Sequence, residues 1–198
     1  MNTELITETF LERLRTTTAP SHKHLEDLPV SVSIMNPHVS AGQYSLYLQL
    51  MHDVVKDTEE NIFPLLKDVI TDIDERRKAS LIESDLQHLD VIKSHFLQPL
   101  THSAQSVTTA FALGIMYVVE GSSLGGRVIL KNISAALGYD ANAGARYFAG
   151  YGQTTGSNWK KFLTMLTDFE TAEKCEDEII AGADFAFNAI AAHFNAPR

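Results

Sequence analysis

The sequence predicts a single all-α domain of seven or eight helices that spans residues 1–198. Apolar residues recur at the three- and four-residue spacing of helices along most of the chain, whereas alternating strand patterns are scarce. No Gly/Ser-rich linker and no internal repeat divides the chain. A length of 198 residues, of which 44% are hydrophobic, suits one domain with its own packed interior.

The first helix is expected from about Leu5 to Leu28. Pro20 interrupts it, because proline removes one backbone hydrogen bond and kinks a helix. The next segment, residues 29–39, contains two prolines and is expected to be a connection. The positions that share the apolar face of the first helix are Leu11, Leu14, Thr18, Leu25 and Leu28.

The second helix is expected to begin at Ser40 and to end at Pro64. Ser40 and Gln43 have the spacing of a capping box, in which each side chain bonds the backbone of the other residue. A third helical segment lies within residues 72–96, with a break predicted near Ser80.

The most apolar segment of the chain is residues 107–121, which is hydrophobic nearly all round and is therefore expected at the centre of the fold. Its helix should continue to about Leu137. Residues 138–156 are rich in glycine and lack periodicity, so they predict a loop. Two final helices are expected at residues 157–169 and 170–194.

Composition excludes several classes of function. Sixteen basic and twenty-five acidic residues give a net charge of −9 without a basic stripe, which argues against nucleic acid as a partner. The N-terminus lacks the apolar core of a signal peptide, and no window reaches the ~18 apolar residues of a membrane span, so a cytoplasmic location is expected. The one cysteine, Cys175, has acidic neighbours that would not activate a thiol.

Three glycines crowd into the stretch VVEGSSLGG, although each costs about 1 kcal/mol relative to alanine inside a helix. Gly121 and Gly125 share one helix face, and Ser122 and Gly126 form a parallel row beside them. A face with so few side chains admits either a flat ligand or a closely packed helix, and the spacing alone does not separate these two interpretations. The stretch is not a nucleotide fingerprint, because it follows no strand and lacks the G-x-G-x-x-G order.

The second marked stretch is LRTTTAPSHKHLEDL. His22 and His24 lie two positions apart, so they point in different directions on a helix, and either is a candidate metal ligand or an ordinary surface residue. Arg15 precedes His22 by two helical turns on the same face. A cation at that position can pair with an anionic group held near His22.

Together, these two stretches resemble the heme oxygenase family. The N-terminal helix of that family carries the pattern L-[RK]-x-x-T-x-x-x-H-x-x-[LV]-[ED], and its bacterial members carry Y-V-x-E-G-S-x-L-G-G on the distal helix. The first pattern matches at Leu14, Arg15, Thr18, His22, Leu25 and Glu26, and the second at Tyr117, Val118, Glu120, Gly121, Ser122, Leu124, Gly125 and Gly126. YFAGYG and WKKF resemble further family patterns, so the matches run in order from Leu14 to Phe162.

The resemblance implies oxygen-dependent cleavage of heme to biliverdin, CO and free iron, with heme as both substrate and cofactor. It implies that His22 binds the iron and Arg15 the propionates, with Lys131 and Lys160 as candidates that are also typical of a solvated surface. Heme and O₂ would then contact the backbone at Gly121, Gly125 and Gly126, with Gly121, Ser122 and Gly125 in the catalytic role.

One departure concerns Ser122. Animal members carry an aspartate directly after the first distal glycine, where it organises water near bound oxygen. The carboxylate role therefore does not transfer to this chain, and Ser122 is expected to hold a water instead.

The resemblance also implies an electron donor, a ferredoxin or a flavin reductase, and makes a bacteriophytochrome a candidate acceptor of the bilin. Two alternatives remain open: a heme-binding or heme-transfer protein without turnover, and a non-heme helical enzyme of the di-iron or thiaminase-like kind. The last would need paired carboxylate–histidine sites, and Asp85 with His88 has no second copy. The other histidines, for which no partner spacing is evident, are His52, His95, His102 and His193.

Overall fold

A computed structural model describes residues 8–102 and 106–197, and within these ranges it confirms the all-α class, with an isolated bridge between Asp140 and Gly144 and no strand. One-turn segments of π- or 3₁₀-helix occur at Thr58–Ile62, Ile73–Arg76, Ser122–Gly125 and Gly152–Thr154. The α-helices are α1 (Phe10–Glu26), α2 (Pro29–Met35), α3 (Ala41–Asp57), α4 (Phe63–Leu66), α5 (Ala79–His88), α6 (Thr109–Gly121), α7 (Gly126–Leu137), α8 (Arg146–Ala149), α9 (Thr155–Glu173) and α10 (Glu176–Phe194).

Helix α1 begins later than predicted. Thr9 forms a capping box with Glu12: the Thr9 hydroxyl accepts the Glu12 N–H at 3.3 Å, and the Glu12 carboxylate accepts the Thr9 N–H at 2.9 Å. This pair sets the start of the helix at Phe10. The earlier part of the predicted helix, residues 5–7, lies outside the described residues. Pro20 is accommodated without a break, since α1 continues to Glu26.

The expectation of a connection at residues 29–39 was wrong, because Pro29 starts α2. Proline at the first helical position loses no helical hydrogen bond, and its fixed φ already suits a helix. Ile34 then buries one face of this short helix in the core.

Helix α3 has the predicted capping box: the Ser40 hydroxyl accepts the Gln43 N–H at 3.3 Å, and the Gln43 side chain accepts the Ser40 N–H at 2.9 Å. The helical path continues through the π turn and α4 to Leu66, slightly beyond the predicted end. The break predicted near Ser80 lies close to the start of α5 at Ala79. Helix α5 ends at His88, whereas the predicted helical segment extended to residue 96.

Residues 91–101, which we call the strap, cross α3 without regular secondary structure. Two carboxylates of α3 bind the strap's backbone: Asp53 accepts the Leu97 N–H at 3.0 Å, and Asp57 accepts the Thr101 N–H at 3.1 Å. Both aspartates are almost fully buried. Irregular buried backbone needs such partners, because an unpaired N–H away from water is costly.

The Asp53 carboxylate should make stability dependent on pH in acid. Burial raises its pKa, but hydrogen bonds from His193, Lys93 and the Leu97 N–H outweigh burial and hold the pKa below its ordinary value of 3.8. A depressed pKa contributes stability that is present above the unfolded value and is lost as pH falls through the folded value. We expect Asp53→Asn to lower the free energy of unfolding by roughly 1–3 kcal/mol at pH 7, with the deficit shrinking below pH 3.8.

Urea unfolding of both proteins across that pH range measures the effect. The exposed Asp68→Asn serves as the matched control and should change little. A deficit of Asp53→Asn that stays constant from neutral pH into strong acid would contradict the prediction.

The predicted central helix is confirmed: α6 is buried along most of its length and crosses α10 at very short range. A Cβ on Gly114 would lie 2.0 Å from the carbonyl oxygen of Ile179, and one on Gly182 would lie 2.1 Å from that of Phe111. The two glycines therefore allow the backbones of α6 and α10 to touch.

The segment Thr109–Leu137 is long and apolar enough to cross a membrane by length and mean hydropathy, which the count of apolar residues in the sequence did not indicate. Half of its most apolar window is buried inside the fold. Contact with α10 explains this hydropathy as that of a core helix.

Residues 138–156 are not wholly a loop, since they contain α8 and a 3₁₀ turn. The Asp85 carboxylate of α5 caps α8 by accepting the N–H groups of Arg146 and Tyr147, each at 2.9 Å. The boundary between the last two helices also falls later than predicted. Lys174 adopts a left-handed conformation with φ of 54°, which ends α9 at Glu173.

Candidate functional site

His22 lies on α1 with 55% of its side chain exposed. Its ring stacks on Phe187 of α10, with 4.9 Å between ring centroids and 26° between planes. Glu26, one turn further, lies 3.3 Å from the Nε2 atom of His22. A carboxylate that holds one imidazole nitrogen is the usual second partner of a metal-binding histidine, and it leaves the other nitrogen for the metal. His24 is also exposed.

Arg15 is exposed on α1, two turns before His22. Its charge acts on Tyr117 of α6: burial raises the pKa of the Tyr117 hydroxyl, and the nearby Arg15 charge partly opposes that increase. The fold therefore brings the Arg15 charge within electrostatic range of Tyr117 of α6, one turn before Gly121. Tyr117 was not singled out as a site residue from the sequence, although it opens the distal motif.

The distal motif forms a 3₁₀ turn, Ser122–Gly125, which we call the distal turn, between α6 and α7. Its glycines have different surroundings. A Cβ on Gly125 would meet nothing within 4 Å, whereas one on Gly126 would lie 2.9 Å from the Phe148 carbonyl oxygen. A Cβ on Gly121 would lie 3.4 Å from the nearest atom of the Trp159 ring. Close packing thus accounts for Gly126, and open space adjoins Gly125.

Exposed apolar side chains occur in the same region of the fold. Leu124 and Val128, close to Gly125 in the sequence, are roughly half exposed, and so are Val32 and Met35 of α2. The Asn132 side chain of α7 donates a hydrogen bond to the Met35 carbonyl at 2.8 Å, which keeps α2 beside α7. Exposed apolar surface of this extent marks a contact with a ligand or partner, and it suits the apolar face of a porphyrin.

Ser122 is exposed in the distal turn, and its hydroxyl donates to the Val119 carbonyl at 2.7 Å. Burial raises the pKa of Tyr147, and a hydrogen bond with Ser122 acts in the opposite direction. Because the Ser122 hydrogen is bound to Val119, its oxygen is available as an acceptor toward a water or a ligand.

Directly behind the distal turn lies a buried ionic group, the Glu120 cluster, formed by Glu120, Arg76, Lys78 and Tyr151. Glu120 is 1% exposed, and its carboxylate lies 2.6 Å from Arg76, 3.1 Å from Lys78 and 3.1 Å from the Tyr151 hydroxyl. Burial lowers the pKa of Lys78, although the Glu120 charge opposes this shift. A carboxylate in an otherwise apolar helix was the signal in the sequence that could have indicated this cluster.

The cluster extends to α9 through Asp72. Burial lowers the pKa of Arg76, but hydrogen bonds to Asp72 at 2.9 and 3.0 Å and the Glu120 charge raise it above its ordinary value. Arg76 also donates to the Asn158 carbonyl at 3.3 Å. Lys161 of α9 lies 2.9 Å from Asp72.

The remaining sequence candidates have other surroundings. Both oxygens of Asp85 are used in capping α8, and the His88 ring packs edge-on against Tyr139 at 5.3 Å. His52 lies 3.1 Å from Glu83, and His193 lies 3.2 Å from Asp53. Burial raises the pKa of the Cys175 thiol, which disfavours a thiolate. The candidates exposed on the surface are His95, His102, Lys131 and Lys160.

Among residues 8–102 and 106–197, no group of three or more His, Cys, Asp or Glu side chains is arranged to hold a metal ion. The paired sites that a di-iron enzyme requires are therefore not found in the described part of the chain.

Comparisons with known proteins identify the family of the chain. The heme oxygenase family model matches residues 8–196. The heme oxygenase PigA of Pseudomonas aeruginosa is 29% identical over 187 residues, which cover 89% of this chain and 87% of PigA.

Two solved structures share the fold. The NO- and CO-bound heme oxygenase of Neisseria meningitidis superposes with a TM-score of 0.75 at 24% identity and covers 96% of this chain and 94% of its own. Heme oxygenase-1 of the cyanobacterium Synechocystis, in complex with heme, gives 0.72 at 16% identity, with 94% and 90% covered. The chain belongs to the heme oxygenase family and is a heme-degrading enzyme that uses O₂ and takes heme as both substrate and prosthetic group.

Proposed function

We propose that this enzyme opens heme to biliverdin with release of CO and iron, and that the porphyrin lies between His22 and the distal turn. The observation that carries this placement is the contrast between the glycines. Gly126 is closed off by the Phe148 carbonyl, whereas Gly125 faces open space flanked by exposed apolar side chains.

Bound heme supplies the chemistry that activates O₂, and the protein supplies placement, proton control and exclusion of water. His22 would supply the imidazole that binds the iron, and Glu26 would hold the ring in position. The stack on Phe187 fixes the plane of the imidazole, so the ligand is oriented before heme arrives.

The propionates are proposed to lie at Arg15 and Tyr117. A guanidinium together with a partly buried hydroxyl offers two kinds of donor to a carboxylate, and hydrogen bonds between charged partners are roughly twice as strong as neutral ones. Lys131 and Lys160 are exposed and remain candidates for a second propionate contact.

Gly121, Ser122 and Gly125 are proposed to form the catalytic face. Gly125 would let backbone approach the reacting side of the porphyrin, Gly121 packs against the Trp159 ring beside it, and Ser122 would accept a hydrogen bond from a water at that face. A water held by Ser122 would serve as the proton source in place of the carboxylate that animal members use.

A ferredoxin or flavin reductase is proposed as the electron donor, a bacteriophytochrome as the candidate acceptor of the bilin, and the cytoplasm as the location. The net charge of −9 favours an electron donor with a basic contact surface. An acidic ferredoxin and a flavin enzyme would differ in this property.

One experiment tests the reaction. Heme is titrated into the purified protein while the absorption spectrum and the fluorescence of Trp159, the single tryptophan, are recorded. Ascorbate or reduced ferredoxin is then added in air. Loss of the heme band with growth of a red-absorbing bilin supports the proposal. A heme complex that stays intact under reductant supports the heme-transfer alternative instead.

A substitution at Gly125 tests the placement. Gly125→Leu should fold normally, since its φ of −74° suits any residue and no atom lies within 4 Å of the new Cβ. It should raise the Kd for heme at least roughly tenfold, because the leucine occupies the space proposed for the porphyrin. Heme titration measures the change. Gly42→Leu on α3, also unobstructed, is the control. Equal affinities for the two variants would rule out porphyrin at Gly125.

A further inference from the structure

Glu120 immediately precedes Gly121, yet its side chain points away from solvent into the protein. Its three donors come from two separate segments of the chain. Arg76 ends the 3₁₀ turn Ile73–Arg76 and Lys78 follows two positions later, before α5, whereas Tyr151 lies between α8 and α9. The carboxylate therefore ties the end of α6 to two parts of the fold that are distant in sequence.

The same cluster positions the ring that covers Gly121. Arg76 donates to the Asn158 carbonyl, and the next residue is Trp159. Trp159 stacks on Phe162 at 5.6 Å, and the Arg76 guanidinium lies 5.7 Å from the Phe162 ring. Both walls of the distal side, the backbone of the distal turn and the Trp159 ring, thus depend on Arg76.

Solvent has little access to this group. The cavity beside it, whose lining includes Glu59, Arg76, Lys78 and Glu120, measures about 10 Å³. That volume holds about one water molecule. The charges of the cluster are therefore satisfied by one another. A buried ion pair of this kind adds little net stability but strongly penalises any geometry that separates its members.

We propose that Glu120 is a positioning residue, which holds the distal turn and Trp159 at a set distance from the porphyrin through Arg76, Lys78 and Tyr151. The inference rests on the proposed location of heme beside the distal turn. Glu120 itself does not contact the porphyrin. Its effect on the reaction is to determine how closely Gly121 and Gly125 approach the distal face.

Tyr151→Phe tests this with the smallest change, because it removes one donor and leaves every charge in place. In the heme-free variant, amide exchange at residues 119–126 should accelerate roughly fivefold, as expected for one lost hydrogen bond. Acrylamide quenching of Trp159 fluorescence should increase. In the ferric heme complex, the midpoint of the acid–alkaline spectral transition, which reports on the distal side, should shift.

Tyr44→Phe is the matched control. It removes a hydrogen bond of 2.6 Å to the Gly144 carbonyl, also buried but outside the cluster. It should leave exchange at residues 119–126, Trp159 quenching and the spectral transition unchanged. If the two variants behave alike in these measurements, Glu120 is only part of the general core and the inference is overturned.

Two substitutions of Lys78, one that removes its charge and one that keeps it, extend the test. Lys78→Met should reproduce and exceed the effects of Tyr151→Phe, and Lys78→Arg should restore the native values. If Lys78→Met does not fold, the comparison of Tyr151→Phe with Tyr44→Phe decides whether Glu120 has the positioning role. Exchange and quenching are measured without heme, so they judge the positioning role even if the unmodified protein failed to bind heme and the proposed function fell.

Discussion

His22→Ala is expected to remove the protein ligand of heme iron and to slow bilin formation by roughly a hundredfold, equivalent to about 2.7 kcal/mol. The variant should fold, because the side chain is 55% exposed and its removal opens no cavity in the core. The absorption spectrum of the ferric complex should change with the loss of the axial imidazole. Added imidazole should enter the vacated position and restore the spectrum in part.

His24→Ala is the control for this prediction, since it removes an exposed histidine from the same helix two positions away. Its spectrum and its rate of bilin formation should equal those of the unmodified protein. An altered spectrum in His24→Ala together with a native spectrum in His22→Ala would transfer the iron ligand from His22 to His24.

Gly182→Ala is expected to lower the free energy of unfolding by about 3 kcal/mol or more, which corresponds to a fall in Tm of roughly 6–12 °C. The new Cβ would lie 2.1 Å from the Phe111 carbonyl oxygen and 2.9 Å from its carbon. These are backbone atoms that cannot rotate away as a side chain would, so α6 and α10 must separate. Thermal unfolding followed by circular dichroism measures the loss.

The control for Gly182→Ala is Gly156→Ala, in the first turn of α9. A Cβ there would meet nothing within 4 Å, so alanine should raise stability by roughly 0.5–1 kcal/mol through its better helix propensity. Equal Tm values for the two variants would contradict the prediction, because they would show that α6 and α10 accommodate the added methyl group without loss of stability.

The sequence was sufficient for elements whose signals are local. The capping box at Ser40 and the apolar run of α6 each depend on residues within a few positions, and both helices lie where they were predicted. Proline was the main source of error in the fold. Pro29 was taken as part of a connection, although the same residue at a first helical position starts α2.

Features that depend on distant partners were not predictable. The strap has no periodicity of its own and keeps its path through Asp53 and Asp57, which lie more than forty positions earlier. The Glu120 cluster likewise joins residues separated by 31 to 44 positions. Neither set of partners leaves a pattern within one helix.

The glycines show the limit for the site most clearly. Gly114, Gly125 and Gly182 are the same residue in similar helical surroundings, yet two of them adjoin backbone and one adjoins open space. The order of motifs along the chain identified His22, Arg15 and the distal turn together. Spacing alone left both close packing and ligand approach open for Gly121, Gly125 and Gly126.

The crossing of α6 and α10 has a consequence for the traffic of molecules through the enzyme. One of these helices leads into the distal turn, and the other carries the Phe187 ring behind His22. Because their backbones are in direct contact, we expect these two helices to stay fixed relative to each other. With heme at the proposed site, we expect the movement that admits it to fall on α2 and α7, which the Asn132 side chain links by its hydrogen bond to the Met35 carbonyl.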